Sequence, residues 1–247
     1  MGGASRGERK RRQEAAAQRL AVAGIQVPQK RSNPAVMIVI AVVVVAVLVG
    51  GVVLYLRRSG TETVAPTYTA TAAGAVVTAG TGKPVIDVYE DFLCPNCEIF
   101  EKAYGNEIVS ALNEGKLTVR YHAIAILDSR TTPPGYSTRA SNAALCAVPA
   151  GIYPAYHQKL FASQPSEGSA GLTDAQLVQF GTELGAKGDF AACVTGAKNA
   201  AAVTAETNKA IADPSLQTNG LFGTPTVVAN GALVDLNNTG WLKAIIG

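Results

Sequence analysis

The chain has 247 residues, 48% of them hydrophobic and 16% charged, with a formal net charge of +3. That is too apolar for a disordered chain, and long enough for one sizeable domain with appendages. The charge is uneven: the first 35 residues carry eight basic side chains against Glu8 and Glu14, whereas residues 59–247 carry 11 basic against 16 acidic, which excludes the bulk of the chain as a nucleic-acid surface.

Residues 1–34 form a basic arm, from Arg6 to Arg31. Ala35 to Leu56 are 22 residues without a charge. At helical rise they span about 33 Å, the thickness of a hydrocarbon core of about 30 Å. The spacing predicts a transmembrane helix over 35–56. It is too long for the apolar region of a cleaved signal peptide, and no small-x-small site follows it directly. The arm outweighs Arg57 and Arg58 in charge, so the N-terminus is expected in the cytoplasm and everything after Leu56 outside. The arm's charge then sets topology and meets anionic lipid. Residues 57–74 are expected to be a Thr/Ala-rich tether, followed by a short strand near Ala75 to Thr78.

The next stretch organises the domain. Val85 to Glu90 alternates as a strand, and Phe92-Leu93 leads into Cys94-Pro95-Asn96-Cys97. Pro95 suits a first helical turn, and Ile99, Phe100, Ala103 and Ile108 follow at helical spacing. Cys94 therefore sits at a helix N-terminus, where the macrodipole and free N–H groups favour a thiolate. Cys97, one turn on, is placed to attack a mixed disulfide formed at Cys94. The alternatives are half a zinc site or an inert disulfide. Zinc wants a second close pair, and Cys146, Cys193, His122 and His157 all stand apart, so no metal is expected. Glu90, Asp91, Glu98 and Glu101 crowd the motif with acidic side chains. They are expected to be exposed and screened, opposing the thiolate by about one pKa unit or less.

The helix should reach Asn113, with Glu114-Gly115 as its stop. Leu117 to Leu127 reads as a strand, with His122 as a side chain of its sheet face, and Asp128 to Gly135 as a loop. About 137–212 is then helical, with candidates at Arg139–Val148, Tyr153–Ala162, Thr173–Leu184, Phe190–Val194 and Lys198–Ile211. Cys146 and Cys193 both fall in this insertion. In the oxidising space outside a membrane they are expected to bond to each other, two buried free thiols being the alternative. Gly223 to Ala229, Asn230-Gly231 and Ala232 to Val234 read as a hairpin. Pro225 at its start implies an edge or a cis bond. Trp241 to Ile246 closes the chain as a short helix.

A strand, a C-x-x-C at a helix start, a strand, a helical insertion, a Thr-Pro hairpin and a last helix resemble the DsbA family of thiol:disulfide oxidoreductases. The motifs that carry the resemblance are Tyr89 to Cys97 and Gly223-Thr224-Pro225; it covers about residues 75–247. A single-pass anchor and an extra cysteine pair make it similar to actinobacterial members. The resemblance implies an α/β, thioredoxin-like fold with a helical insertion domain, preceded by one transmembrane helix. It also implies Cys94 as attacking thiolate, Cys97 as resolving thiol and Pro225 as a cis proline packed on the pair. The backbone of Thr224 would hold a client chain by strand addition. No cofactor is expected. The implied partners are exported cysteine-containing proteins and a membrane reoxidase such as a vitamin K epoxide reductase homologue. Asn96 departs from the histidine of well-known oxidases; its amide offers the thiolate a hydrogen bond but no charge. A reductase or isomerase on the same fold, and a membrane-tethered binding or redox-sensor domain, are the rival readings.

Overall fold

In the computed structural model the strand expected before the cysteines is the centre of the sheet. The structure describes Arg11 and residues 63–247, so the expected arm and transmembrane helix lie outside the described residues. No helix among the described residues is long and apolar enough to cross a membrane. Strand β3 (Val85–Glu90) buries Ile86, Val88 and Glu90 on one face. It pairs in parallel with β4 (Thr118–Ala123), Val88 opposite Tyr121, and antiparallel with β5 (Thr226–Ala229), Val88 opposite Val227. With β1 (Ala70–Ala73), β2 (Val76–Ala79) and β6 (Ala232–Leu233) the sheet order is β1-β2-β4-β3-β5-β6.

Helix α1 (Pro95–Asn113) links the two parallel strands, as such a crossover must. It packs through Phe100 and Tyr104 on Trp241 of the last helix, α7 (Trp241–Ile246). The insertion consists of α2 (Tyr136–Ala147), α3 (Tyr153–Ala162), α4 (Asp174–Glu183), α5 (Phe190–Thr195) and α6 (Ala200–Ala212). Almost every residue of α2 is buried, so the other helices gather around it. Thr173 caps α4 in a reciprocal capping box with Gln176. Phe92, Phe161, Tyr156 and Leu177 belong to one hydrophobic core shared by sheet and insertion.

Cys146 on α2 is bonded to Cys193 on α5, and Asn199 Nδ2 lies 3.4 and 3.6 Å from the two sulfurs. Closing a loop of 47 residues contributes about 4 kcal/mol through the unfolded chain. The hairpin turn at Asn230-Gly231 has the positive φ at both residues that this dipeptide accepts.

Three expectations are corrected. Residues 70–73 form strand β1 inside the expected tether, pairing with β2 across Gly74-Ala75; their Ala/Thr composition gave no alternation of hydrophobicity to read. Strand β4 stops at Ala123 instead of Leu127, because the next amides turn to side chains: Ala125 N–H donates to Thr207 Oγ1 and Leu127 N–H to Asp91 Oδ2. Helix α2 begins at Tyr136, three residues early, where Asp128 Oδ1 accepts the Thr138 N–H at 2.8 Å and satisfies its first turn.

Candidate active site

The turn between β3 and α1 is pinned by a buried carboxylate. Asp91 accepts the N–H of Leu93 at Oδ1 and of Leu127 at Oδ2, both at 2.9 Å, while its carbonyl accepts the Cys94 N–H. The chain therefore enters α1 with Cys94 as N-cap, extended at φ −72° and ψ 117°, and its carbonyl accepts the first helical bonds from Cys97 and Glu98. Pro95 and Asn96 are exposed; Cys94 and Cys97 are buried, with both thiols free. From the insertion, Gln164 Nε2 donates to the carbonyls of Phe92 and Cys94, each at 3.1 Å, so the helical insertion grips the motif directly.

Facing the thiols is the loop before β5. The Thr224–Pro225 peptide is cis, and the Cys94 thiol donates to the Thr224 carbonyl at 3.2 Å. The Thr224 hydroxyl is buried without a hydrogen-bond partner. The two groups serve the two states of one sulfur: the carbonyl accepts from a thiol, and the hydroxyl donates to a thiolate.

The thiols are electrostatically unlike. Cys94 is lowered from its ordinary 9.0 to about 6. The Cys97 thiol, donating to the thiolate, is the largest cause; burial opposes it, and the Thr224 hydroxyl with the N–H groups of Cys97 and Asn96 add to the lowering. Asn96 thus acts through its backbone, where its side-chain amide was expected. Burial, then the bond to Cys94 and the charge of Glu90, push the Cys97 thiol well above its ordinary range. One sulfur is held ready as a thiolate and its neighbour keeps its proton.

Of the acidic crowd only Glu98 is at the surface, paired with the exposed Lys102; the other three are not exposed and screened. Glu90 and Asp91 are buried, and Glu101 is half-buried. Burial raises Asp91 to about 6 and lifts both glutamates far above the usual carboxylate range. At neutral pH the two glutamates are held largely as acids, which weakens the opposition to a Cys94 thiolate that their charge would have given, whereas Asp91 stays mostly ionised. Of the histidines, His122 sits on the sheet as expected, between Asp87 at 2.9 Å and Glu206 at 2.7 Å. His157 sits beside Glu90, with its Nε2 3.2 Å from Oε2. Sequence reasoning missed Gln164, His157 and the inward side of Glu101. Only Glu101 left a signal, its spacing of one helical turn from Cys97.

Beside Cys94 an open groove of about 620 Å³ runs between α1 and the loop before β5. Ile99, Tyr104, Leu221, Phe222, Thr226 and Leu236 are among its walls, and no charged side chain lines it. Ile99 and Leu221 are 60% and 76% exposed. Exposed apolar side chains next to a thiolate suit an unfolded or extended peptide.

This sheet, with a thiol pair at the start of α1 against a cis proline, defines a thiol-disulfide oxidoreductase of the DsbA type. The chain belongs to the thioredoxin family, whose model matches residues 74–246. Two solved structures from Mycobacterium tuberculosis are similar to it. Reduced DsbA shares 26% identity at a TM-score of 0.58, over 76% of this chain and 87% of that one. Reduced DsbG shares 28% at 0.59, over 73% and 86%. MdbA of Corynebacterium diphtheriae, a thiol-disulfide oxidoreductase, shares the fold at 20% identity and a TM-score of 0.61, over 75% and 96%. The chain is also 32% identical over 181 residues to the serine/threonine-protein kinase PknE of M. tuberculosis; the match covers 70% of this chain and 31% of the kinase, so the chain spans about a third of that curated relative's length.

Proposed function

We propose that the protein forms disulfides in exported proteins, outside the cytoplasmic membrane, through a dithiol switch between Cys94 and Cys97. The observation that carries this is the asymmetry of the thiols, with Cys94 near 6 and Cys97 well above its usual range. In the oxidised protein a client thiolate attacks Cys94, the Cys94–Cys97 bond breaks, and Cys97 leaves with the electron pair and takes up a proton. A second client thiol, losing its proton, attacks the client sulfur of the mixed disulfide. The client disulfide forms and Cys94 departs as the thiolate that its surroundings favour. Pro225, having no N–H, closes the site without competing for the sulfur, and the freed Thr224 carbonyl is open to a client amide.

The 22-residue apolar stretch and the basic arm support a single-pass anchor with a cytoplasmic N-terminus and the catalytic domain outside. A membrane reoxidase, such as a vitamin K epoxide reductase homologue, would accept the two electrons from the reduced pair. The test is oxidation of a reduced, unfolded multi-cysteine client by the oxidised protein. Stoichiometric disulfide transfer that Cys94→Ser abolishes is expected, and disulfide reduction alone would make it a reductase or isomerase. A second reading, a redox sensor without turnover, is favoured by the kinase match. Mixed disulfides that form and never resolve in the unaltered protein would support it.

A further inference from the structure

On the sheet face that meets α6, the register sets two rows of side chains across the strands. Val76, His122, Tyr89 and Thr226 form one, and Thr78, Arg120, Asp87 and Val228 the next. His122 Nδ1 lies 2.7 Å from Glu206 Oε1 on α6, and its Nε2 lies 2.9 Å from Asp87 Oδ1 on β3; none of the three side chains is more than 13% exposed. A neutral imidazole has one N–H and one bare nitrogen, so it can donate to only one of these carboxylates. With both carboxylates ionised, both contacts are hydrogen bonds only when each ring nitrogen carries a proton. His122 is then an imidazolium between two anions.

The two anions are not equally held. Asp87 also accepts from Arg120 at Oδ2, and although burial opposes it, the bonds from His122 and Arg120 hold its carboxyl below the usual range. Among the described residues the other cation near Glu206 is the exposed Lys209, at 3.9 Å. A neutral His122 therefore keeps Asp87 and lets Glu206 go. What Glu206 holds matters to the groove. Helix α6 joins the sheet through this bond and through Thr207, whose hydroxyl accepts the Ala125 N–H at 3.0 Å. From the end of α6 the chain runs through Leu216, Thr218, Leu221 and Phe222 to Thr224, all of them walls of the groove beside Cys94. Tyr89 makes a second link: its ring stacks on His122 with centroids 4.0 Å apart and meets the Phe222 ring edge-on at 6.0 Å. A cation over the Tyr89 face strengthens that stack.

We propose that His122 is a pH-sensitive positioning residue for the client groove, a role that rests on the dithiol reading above: its imidazolium ties α6 to the sheet and fixes the wall from Leu216 to Thr224, and its neutral form releases Glu206 and loosens that wall. The groups that face it are Asp87 and Tyr89 from β3, Arg120 on its own strand, and Glu206 and Lys209 from α6, with Asp213 just beyond; β2 brings no titratable side chain. As pH rises the ring gives its Nδ1 proton to solvent, and Glu206 Oε1 turns from a bare nitrogen that can only repel it. Exchange with an apolar client is thus fastest while His122 is charged. Exchange with glutathione, which needs the sulfur and not the groove, does not follow the ring.

Three readouts on the full chain in detergent test this. NMR of the ring nitrogens follows the titration of His122. Over the same pH interval, exchange of the α6 amides, corrected for the intrinsic effect of pH, should rise about tenfold, as expected for the loss of one charge-assisted hydrogen bond. With the oxidised protein, the rate for a reduced apolar cysteine peptide divided by that for glutathione, each per thiolate, should fall by about the same factor. Glu206→Gln separates the switch from the packing. Its amide accepts from an imidazolium and donates to a bare nitrogen, so the tie survives and the fall with pH should vanish; Glu206→Ala should give the low ratio at every pH. A ring that titrates while α6 exchange and the ratio stay flat, a ring that never titrates while the protein is folded, or a fall that persists unchanged in Glu206→Gln would overturn the role of His122. Failure to transfer a disulfide to either peptide or glutathione would instead overturn the dithiol reading, with the tie of α6 still judged by the first two readouts.

Discussion

Replacing Thr224 with valine keeps its shape and its carbonyl and removes one hydroxyl, the group with no other partner and a place among the causes that lower Cys94. A hydrogen bond to a charged group is worth about 1.5–3 kcal/mol, and one pKa unit is about 1.4 kcal/mol. Losing this donor should therefore raise Cys94 from about 6 by about one to two units. The reduced form loses the same stabilisation, and the reduction potential falls by about 30 mV per unit. In the oxidised protein the effect reverses: no thiolate is present, and an unpartnered buried hydroxyl costs about 1–3 kcal/mol, so Thr224→Val should be the more stable protein. Thiolate absorbance against pH gives the midpoint, glutathione equilibration the potential, and urea unfolding of the oxidised form the stability. Thr224→Ser should restore the midpoint. A Thr224→Val midpoint within about 0.3 units of the unaltered protein would refute the hydroxyl's role.

The other outcomes concern single bonds of the site and its support. Cys97→Ser should accumulate mixed disulfides with client chains and Cys94→Ser none; the opposite pattern would reverse the two roles. Serine at both Cys146 and Cys193 should cost about 2–4 kcal/mol in unfolding while leaving client oxidation in place, and peptide mapping without reductant should recover the two in one fragment. The potential should lie above about −270 mV and below about −120 mV, with Asn96→His raising it by adding a charge beside the thiolate; a value at or below the lower limit would mark a reductase.

The sequence made the sheet's centre and the thiol pair legible because both are local. Val85 to Glu90 alternates along one strand, and Pro95 after Cys94 announces a helix start within four residues. The Asn-Gly hairpin and the Cys146–Cys193 bond were likewise readable, the second from the compartment and from the lack of other partners. What stayed hidden depends on long-range burial. Glu90 is separated by 67 residues from the histidine beside it, and Gln164 by 70 from the carbonyl of Cys94 it grips. A glutamate next to a C-x-x-C reads as a surface charge until the insertion is seen to cover it. Strand β1 was missed for the opposite reason: at the sheet's edge its small side chains bury little and carry no pattern.

The buried groups also set opposite pH dependences, and their difference can be measured. Glu90 and Glu101 have folded values raised from an ordinary 4.5, so the stability they contribute is complete below about 4.5 and is lost as pH rises through about 8. Cys94 has a folded value lowered from 9.0, so its contribution is absent below about 6, grows through neutral pH and is complete above about 9. The oxidised protein has the carboxyls without the thiolate and should only lose stability from pH 5 to 8. The reduced protein has both, and between about 6 and 8 the gain at the one sulfur offsets about half of the loss at the two carboxyls. Subtracting the two unfolding curves removes what they share. The reduced form should gain on the oxidised by about 1.4 kcal/mol per pH unit between about 6 and 9. A difference independent of pH across that range would mean that Cys94 carries no lowered pKa, and the asymmetry of the two thiols would no longer explain the direction of exchange.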